Sequence, residues 1–276
     1  MCKVLKVSRS SYYRWFSKGP SKRRLEHSLF TSLVKKEFET SKQRYGSTRI
    51  AEQLKRNNYC ISRARVAKIM RDNNWPSKHR RKFKVTTNSS HSYPFSRNLL
   101  GRNFNSSRLN QVWVSDITYI KTKKGWLYLT TVIYLYDRQV IGCSLSTRLY
   151  TNQTIIPAWK MAISKREITE ELLFHSDRGI QYASKEFRQI IKSNSLIIQS
   201  MSRKGNCWDN AVAESFFKTL KVELIYGNDF KSIEQVKTSI FEYIEIWYNK
   251  QRLHSSLDYK TPYEVEQEFY QFKYVA

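Results

Sequence analysis

QVWVSDITYIKTKKGWLYLTTVIYLYDRQVIGCSLS, residues 111–146, decides the fold. Its opening alternates strictly. Val112, Val114, Asp116, Thr118 and Ile120 fall on one face of an extended strand; Trp113, Ser115, Ile117 and Tyr119 fall on the other. Gly125 marks a turn, and WLYLTTVIYLYD and RQVIGCSLS follow as two more β-branched and aromatic runs. Three consecutive strands with short connections predict an antiparallel meander. Asp116 is out of place in it. Asp is depleted in strands, and a buried carboxylate without a partner costs on the order of a few kcal/mol, so it is expected to be paired or to bind metal.

Downstream the pattern changes. Residues 151–165 take helical spacing, with Ile155, Ile156, Trp159 and Ile163. ELLFHSD (171–177) reads as a short buried strand, SKEFRQIIKSN (184–194) as a helix and LIIQSM (196–201) as a strand. NAVAESFFKTLKVELI (210–225) and SIEQVKTSIFEYIEIWYNKQR (232–252) are long helices. The order βββ-α-β-α-β-α is that of a mixed α/β layer. Asp177 stands where a strand gives way to the loop RGIQY, the place where α/β sheets bind ligands. In the following helix Ala213, Phe216, Phe217, Leu220 and Leu224 form the apolar stripe. Glu214 lies at its edge, with Lys218 and Lys221 on nearly the same side. Glu214 and Lys221 could be a plain surface ion pair, but three carboxylates at such positions suit a hard divalent cation. Such ions take oxygen ligands, and a pair about 4 Å apart stabilises in-line phosphodiester displacement. With no His/Cys cluster present, Mg²⁺ or Mn²⁺ is expected over Zn²⁺.

The chain has a net charge of +26, unevenly spread. Residues 1–110 hold 27 Lys and Arg against 5 Asp and Glu; residues 111–276 hold 22 against 18. A polycation of this kind meets nucleic acid by default. LKVSRSSYYRW (5–15) has the order of a recognition helix capped at Ser8 or Ser10. Residues 20–42 are helical, with Leu25, Leu29, Leu33 and Phe38 as the apolar positions. In YGSTRIAEQLKRNNYCISRARVAKIMRDNNW (45–75), Thr48 can cap one short helix, with Ile50, Ala51 and Leu54 inward. Ser62 caps a second, with Val66, Ile69 and Met70 inward and Arg63, Arg65, Lys68 and Arg71 outward. Two short helices about a turn, the second basic, predict a helix-turn-helix that positions on DNA phosphates. The domains expected are residues 1–75 (helical, DNA-binding), 76–109 (basic linker) and 110–276 (core). Cys2, Cys60, Cys143 and Cys207 form no C-x-x-C pair, which argues against a zinc finger and fits a reducing compartment. No signal peptide or membrane-spanning run is apparent, so a cytoplasmic protein is expected.

DITYI, HSDRGIQY, SMSRKGNCWDNAVAESFFKTLK and WYNKQRLHSSLDYKTPYEVE resemble the catalytic protein of bacterial insertion-sequence transposases of the OrfB type, with a retroviral-integrase-like DDE core. Residues 45–75 are similar to the helix-turn-helix that precedes that core. The resemblance covers nearly the whole chain. It implies a ribonuclease-H-like α/β core, a mixed five-stranded sheet with flanking helices, behind an all-α region. It assigns Asp116, Asp177 and Glu214 as catalytic and metal-binding residues for two ions, and Lys221 as a contact to the element's terminal DNA. It implies single-strand cleavage at element ends and 3′-OH strand transfer on double-stranded DNA, by an oligomer, in the bacterial cytoplasm at the nucleoid. It also implies a first-frame partner or fusion. A nuclease of the same fold and a non-catalytic DNA-binding regulator are the alternatives. Arg203 and Lys204 make a basic loop suited to the DNA backbone. Trp208 either stacks on an unpaired base or packs in the core. Asp209 is the expected N-cap of the Glu214 helix, and His175, beside Asp177, either orients a ligand or water or, the favoured reading, is a hydrogen-bonded structural residue. Arg252 and His254 either touch DNA or tie down the last helix. Between Asp177 and Glu214 lie 36 residues, one more than this branch usually carries, with the extra residue expected in KSNSL (192–196).

Overall fold

The computed structural model describes residues 1–78, 95–104, 111–123 and 125–275, without the side chains of Cys207 and 272–275. Most of the expected basic linker therefore lies outside the described residues. The chain divides into two compact units, Met1–His79 and Arg80–Ala276.

The first unit is all-helical: α1 (Arg9–Ser17), α2 (Lys22–Thr40), α3 (Ser47–Arg56) and α4 (Arg63–Asp72). Ser8 caps α1 and Ser62 caps α4, each accepting from the backbone N–H three residues on. Helix α3 instead begins at Ser47 after Gly46, so Thr48 is inside the helix and not its cap. The apolar stripes of α3 and α4 are buried as expected. That of α2 is not the expected one. Phe30, Val34 and Phe38 are buried, while Leu25 and Leu29 are half exposed. Both stripes have helical spacing, and a bundle of three short helices can cover only one; the aromatic stripe removes more apolar area from water.

The second unit is built on the sheet β1 (Val112–Thr122), β2 (Gly125–Tyr134), β3 (Val140–Ser146), β4 (Leu172–Ser176) and β5 (Ile197–Met201), in the order β3-β2-β1-β4-β5. The first three form the antiparallel meander, and β4 and β5 run parallel to β1. Gly125 makes its turn at φ +120°, where a side chain would be strained. Trp113, Tyr134 and Phe174 bury one sheet face against α5 (Ile155–Lys165) and the helices α6 (Ile180–Ala183) and α7 (Lys185–Lys192). Ile163 of α5 is exposed, outside the expected stripe. At Gly142 a Cβ would lie 2.2 Å from the Ala158 carbonyl oxygen, so only glycine lets α5 sit this close to β3. Helix α8 (Ala211–Leu220) runs on into a π-helical turn, Lys221–Ile225. Helix α9 (Ile233–Glu242) does the same over Tyr243–Tyr248, and α10 (Pro262–Val275) follows.

Residues 95–104, expected as linker, belong to the second unit. The Leu99 N–H donates to Ser200 Oγ, and the Met201 N–H to the Arg97 carbonyl. Residues 192–196 run from the end of α7 to the start of β5, where Asn194 Oδ1 accepts from the Leu196 N–H.

Candidate active site

Register places the first two carboxylates. The parallel pair β1–β4 aligns Val114 with His175 and Ser115 with Ser176. One step further come Asp116 on β1 and Asp177 just past β4. Neighbouring strands lie about 4.8 Å apart and alternate residues share a face, so the two side chains stand side by side. Each carboxylate is steered by backbone: the Ile117 N–H donates to Asp116 Oδ1 and the Gly179 N–H to Asp177 Oδ1, at 2.8 and 2.9 Å. The second bond closes the tight turn that Asp-x-Gly favours. A Cβ on Gly179 would lie 2.9 Å from that same oxygen.

Glu214 enters from α8. Ala213, Phe216, Phe217 and Leu220 are buried, as the stripe predicts, which leaves Glu214 at the edge and open to solvent. The electrostatics tie the groups together. Desolvation, then the Asp177 charge and more weakly Glu214, push the Asp116 carboxyl well above the usual range, and the Ile117 N–H and, less strongly, Lys221 partly offset them. Desolvation and Asp177 raise Glu214. Desolvation lowers the Lys221 ammonium, against the opposing pull of Asp116.

The three carboxylates do not close around a single point; among the described residues no three His, Cys, Asp or Glu side chains are grouped to hold one ion. A two-ion arrangement asks less, because each hard cation needs one or two carboxylates and takes its other ligands from water and phosphate. An all-oxygen donor set whose members hold one another's pKa up fits such ions, since a cation relieves both the repulsion and the desolvation.

His175 is fully buried, with Nδ1 on Ser200 Oγ (2.8 Å) and Nε2 on Ser202 Oγ (3.1 Å). Burial holds it down at about 4, so it is a neutral structural residue at pH 7. Asp209 is no cap: α8 starts after Asn210 without a side-chain cap. Instead Asp209, fully buried, accepts from the Arg203 backbone and guanidinium, from Arg102 Nε and from Asn98 Nδ2. The Arg203 hydrogen bond is the main reason its carboxyl lies far below the usual range. Arg203 thus keeps an exposed guanidinium but is already engaged, and residues 98–102 are fastened to the loop before α8. Neither spacing nor composition signalled that clamp.

Lys204, Lys218 and Trp208 are exposed, Trp208 at 70%, which decides against core packing for its ring. Arg252 is a correction. It is 5% exposed and bonded through Nε and Nη2 to the buried Glu223, so it is not a surface contact for DNA. Glu223 also accepts from Tyr243 and Trp247, which ties the Lys221–Ile225 turn to the helix ahead of Arg252. In the first unit Arg63, Lys68 and Arg71 are exposed as expected. Arg65 is not free for phosphate: it pairs with Glu26 at 2.7 Å and lies over the Phe30 ring.

Family models described as an integrase core domain match residues 106–207 and 196–262, so that together they span all three carboxylates; an HTH-like domain model matches 25–83. The chain is 37% identical over 271 residues to the insertion element IS600 uncharacterized 31 kDa protein of Shigella sonnei, covering 98% of this chain and 99% of that one. It is 41% identical over 268 residues to Transposase InsF for insertion sequence IS3A of Escherichia coli (strain K12), covering 96% and 92%. Among solved structures, a chain of the simian T-cell lymphotropic virus intasome in complex with PP2A regulatory subunit B56 gamma is 16% identical at a TM-score of 0.48, over 84% of this chain and 73% of that one. The HTLV-2 integrase catalytic core domain in complex with magnesium (dimeric form) is 20% identical at 0.42, over 58% and 97%. The fold is ribonuclease-H-like on the strength of the strand order and the integrase core models, with an HTH-like helical unit ahead of it.

Proposed function

The chain belongs to the insertion-sequence transposases with an integrase core domain, and from that premise we propose that Asp116, Asp177 and Glu214 are its catalytic, metal-binding carboxylates. It is a DNA transposase. The proposed reaction is cleavage at the ends of its element followed by attack of the freed 3′-OH on target DNA, with no covalent protein–DNA intermediate.

The observation that carries this reading is the register of β1 and β4, which sets Asp116 beside Asp177 with Glu214 electrostatically coupled to both. Asp116 and Asp177 would hold one Mg²⁺ or Mn²⁺, and Asp116 and Glu214 a second. Two such ions, when bound, activate the attacking hydroxyl and stabilise the leaving 3′ oxygen. The protein's own part is to fix the carboxylates and to bring phosphate to them. Lys221, the first residue of the π-helical turn that continues α8, would contact the terminal nucleotides. Lys204, Lys218 and the outward edge of Arg203 would follow the backbone, and the exposed Trp208 ring would stack on a base unpaired near the cut. Arg63, Lys68 and Arg71 would position the helical unit on duplex DNA. Joining two ends calls for an oligomer, with a first-frame DNA-binding protein as partner or fusion, acting on the nucleoid in the cytoplasm.

The test is strand transfer of a labelled element end into plasmid with Mg²⁺. Wild-type chain should cleave and join. Asp116→Asn, Asp177→Asn and Glu214→Gln should each do neither while still binding ends. Cleavage without joining would make the protein a nuclease, and a wild-type chain that binds ends but neither cleaves nor joins them, so that the three substitutions change nothing, would make it a regulator.

A further inference from the structure

A fully buried polar junction lies directly beneath the carboxylates, and it involves none of them. Its centre is Ser115, the residue before Asp116, with 0% exposure. Ser115 Oγ donates to the Thr131 carbonyl (2.8 Å) and lies 2.8 Å from Tyr182 Oη. A serine hydroxyl has one proton, and Thr131 takes it; the phenol must therefore donate to Ser115. Burial, with Asp116 and Asp177 nearby, holds the Tyr182 phenol well above its usual range, so that proton stays in place. The Ser115 carbonyl accepts from Asn210 Nδ2 (3.0 Å).

Each partner belongs to a different part of the site. Thr131 is the β2 residue directly across from Asp116. Tyr182 sits five residues after Asp177, on α6. Asn210 sits four residues before Glu214, at the start of α8. The Tyr182 ring is anchored independently, against Phe174 and Phe187. Asn210 is buried, and its Oδ1 has no hydrogen-bond partner among the described residues, so its side chain makes one interaction, the bond to β1.

We propose that Ser115, Tyr182 and Asn210 are positioning residues that set the separation of the three carboxylates, by fastening the elements that carry Asp177 and Glu214 to the strand that carries Asp116. Apolar packing sets distances between elements to within a side chain's freedom, whereas three short hydrogen bonds converging on one residue fix them more tightly. Groups that hydrogen-bond a metal ligand directly typically matter about 10–100-fold in metal affinity, and a junction that acts one step removed, on the backbone carrying the ligands, belongs at the lower end of that range.

This rests on the carboxylate reading above, and its test separates the two. Mn²⁺ alone is titrated calorimetrically into the full-length chain, and the Mn²⁺ dependence of element-end nicking is measured in parallel. Tyr182→Phe removes one oxygen and keeps the ring. Asn210→Ala removes the bond to β1. Each should weaken Mn²⁺ binding about tenfold and raise half-saturating Mn²⁺ for nicking to match. Excess metal should restore most of the rate. A role confined to fold stability would lower Tm and leave the metal titration where it was, and that result in Tyr182→Phe overturns the proposal. Should Asn210→Ala fail to fold, Tyr182→Phe alone decides. Asp116→Asn is the control: if it binds Mn²⁺ like wild type, the carboxylate reading itself falls; if it loses Mn²⁺ and Tyr182→Phe does not, only the junction does.

Discussion

Replacing Gly179 by alanine would move one carboxylate oxygen and little else. The backbone there has φ −61° and ψ 144°, which any residue adopts, so the substitution brings no backbone strain. The added Cβ would meet Asp177 Oδ1 at 2.9 Å and Gln181 Oε1 at 3.4 Å. Ordinary contact begins near 3.4 Å, so Asp177 Oδ1 must retreat by about 0.5 Å. A misplacement of about 1 Å costs on the order of 100-fold in rate; half of that corresponds to about tenfold, or about 1.4 kcal/mol of barrier. Stability should hardly change. The weakened bond from the Gly179 N–H is compensated by water at this partly open site, and alanine restricts the unfolded chain in its favour by about 0.4–1 kcal/mol. A 1 kcal/mol change moves Tm by about 2–4 °C in a unit of this size. The assay pairs strand transfer across a Mg²⁺ series with thermal unfolding. Expected are a rate about tenfold down, partly recovered at high Mg²⁺, and Tm within about 4 °C of wild type. A wild-type rate at limiting Mg²⁺ would refute the role of Asp177 Oδ1. A large fall in Tm that accounts for the lost rate would refute the claim that the oxygen alone was displaced.

Asp116→Asn should abolish strand transfer yet raise the Tm of the metal-free chain at pH 8. A carboxyl whose folded pKa is raised contributes stability that is full below its unfolded value and is lost as pH climbs through the folded one, so the gain should vanish in acid. Mn²⁺ should raise the Tm of wild type at pH 8 and that of the variant much less, which scanning fluorimetry can read. Arg252→Ala should destabilise by about 3–5 kcal/mol, because it strands the Glu223 carboxylate in a buried site. Thermal unfolding distinguishes this from a DNA-contact role, which would leave Tm alone. Trp208→Ala should weaken binding to frayed element ends by about 1–3 kcal/mol in a fluorescence-anisotropy titration, with Tm unchanged because the ring is 70% exposed.

The carboxylates were legible because each breaks a local rule: Asp116 a strand's apolar alternation, Asp177 a strand's end, Glu214 the border of a helical stripe. The meander was legible from β-branched runs and one glycine. What the sequence hid depends on pairing across long separations. Arg252 looks like any surface arginine until Glu223, 29 residues away, is seen to meet it in the core. Asp209 has the profile of a helix cap, yet Arg102 and Asn98, more than a hundred residues earlier, claim it. The α2 stripe failed for another reason. Two apolar stripes satisfy the same period, and only the neighbours' size selects between them. Gly179 alone left a readable trace, the Asp-x-Gly turn.

The place where the chemistry is proposed follows from unequal strand lengths. Strand β1 has 11 residues and β4 only 5. Their pairing ends at Ser115 and Ser176, after which β1 continues to Thr122 with β2 alone. Up to Ser115 the strand is covered on both edges and both faces, and its residues are buried without exception from Val112. At Asp116 one edge opens, and the first residue beyond the paired zone is the first that water and a polyanion can reach. Asp177 is the matching residue on the shorter strand. A carboxylate one position earlier on either strand would be sealed in with the Ser115 junction, where ionisation costs far more than a solvated cation can return. One position later it would sit on the opposite face, since side chains alternate. The two aspartates therefore occupy the one step in the β1–β4 register that is both shared and open. The α8 helix, tied to that step through Asn210, brings the third carboxylate to it.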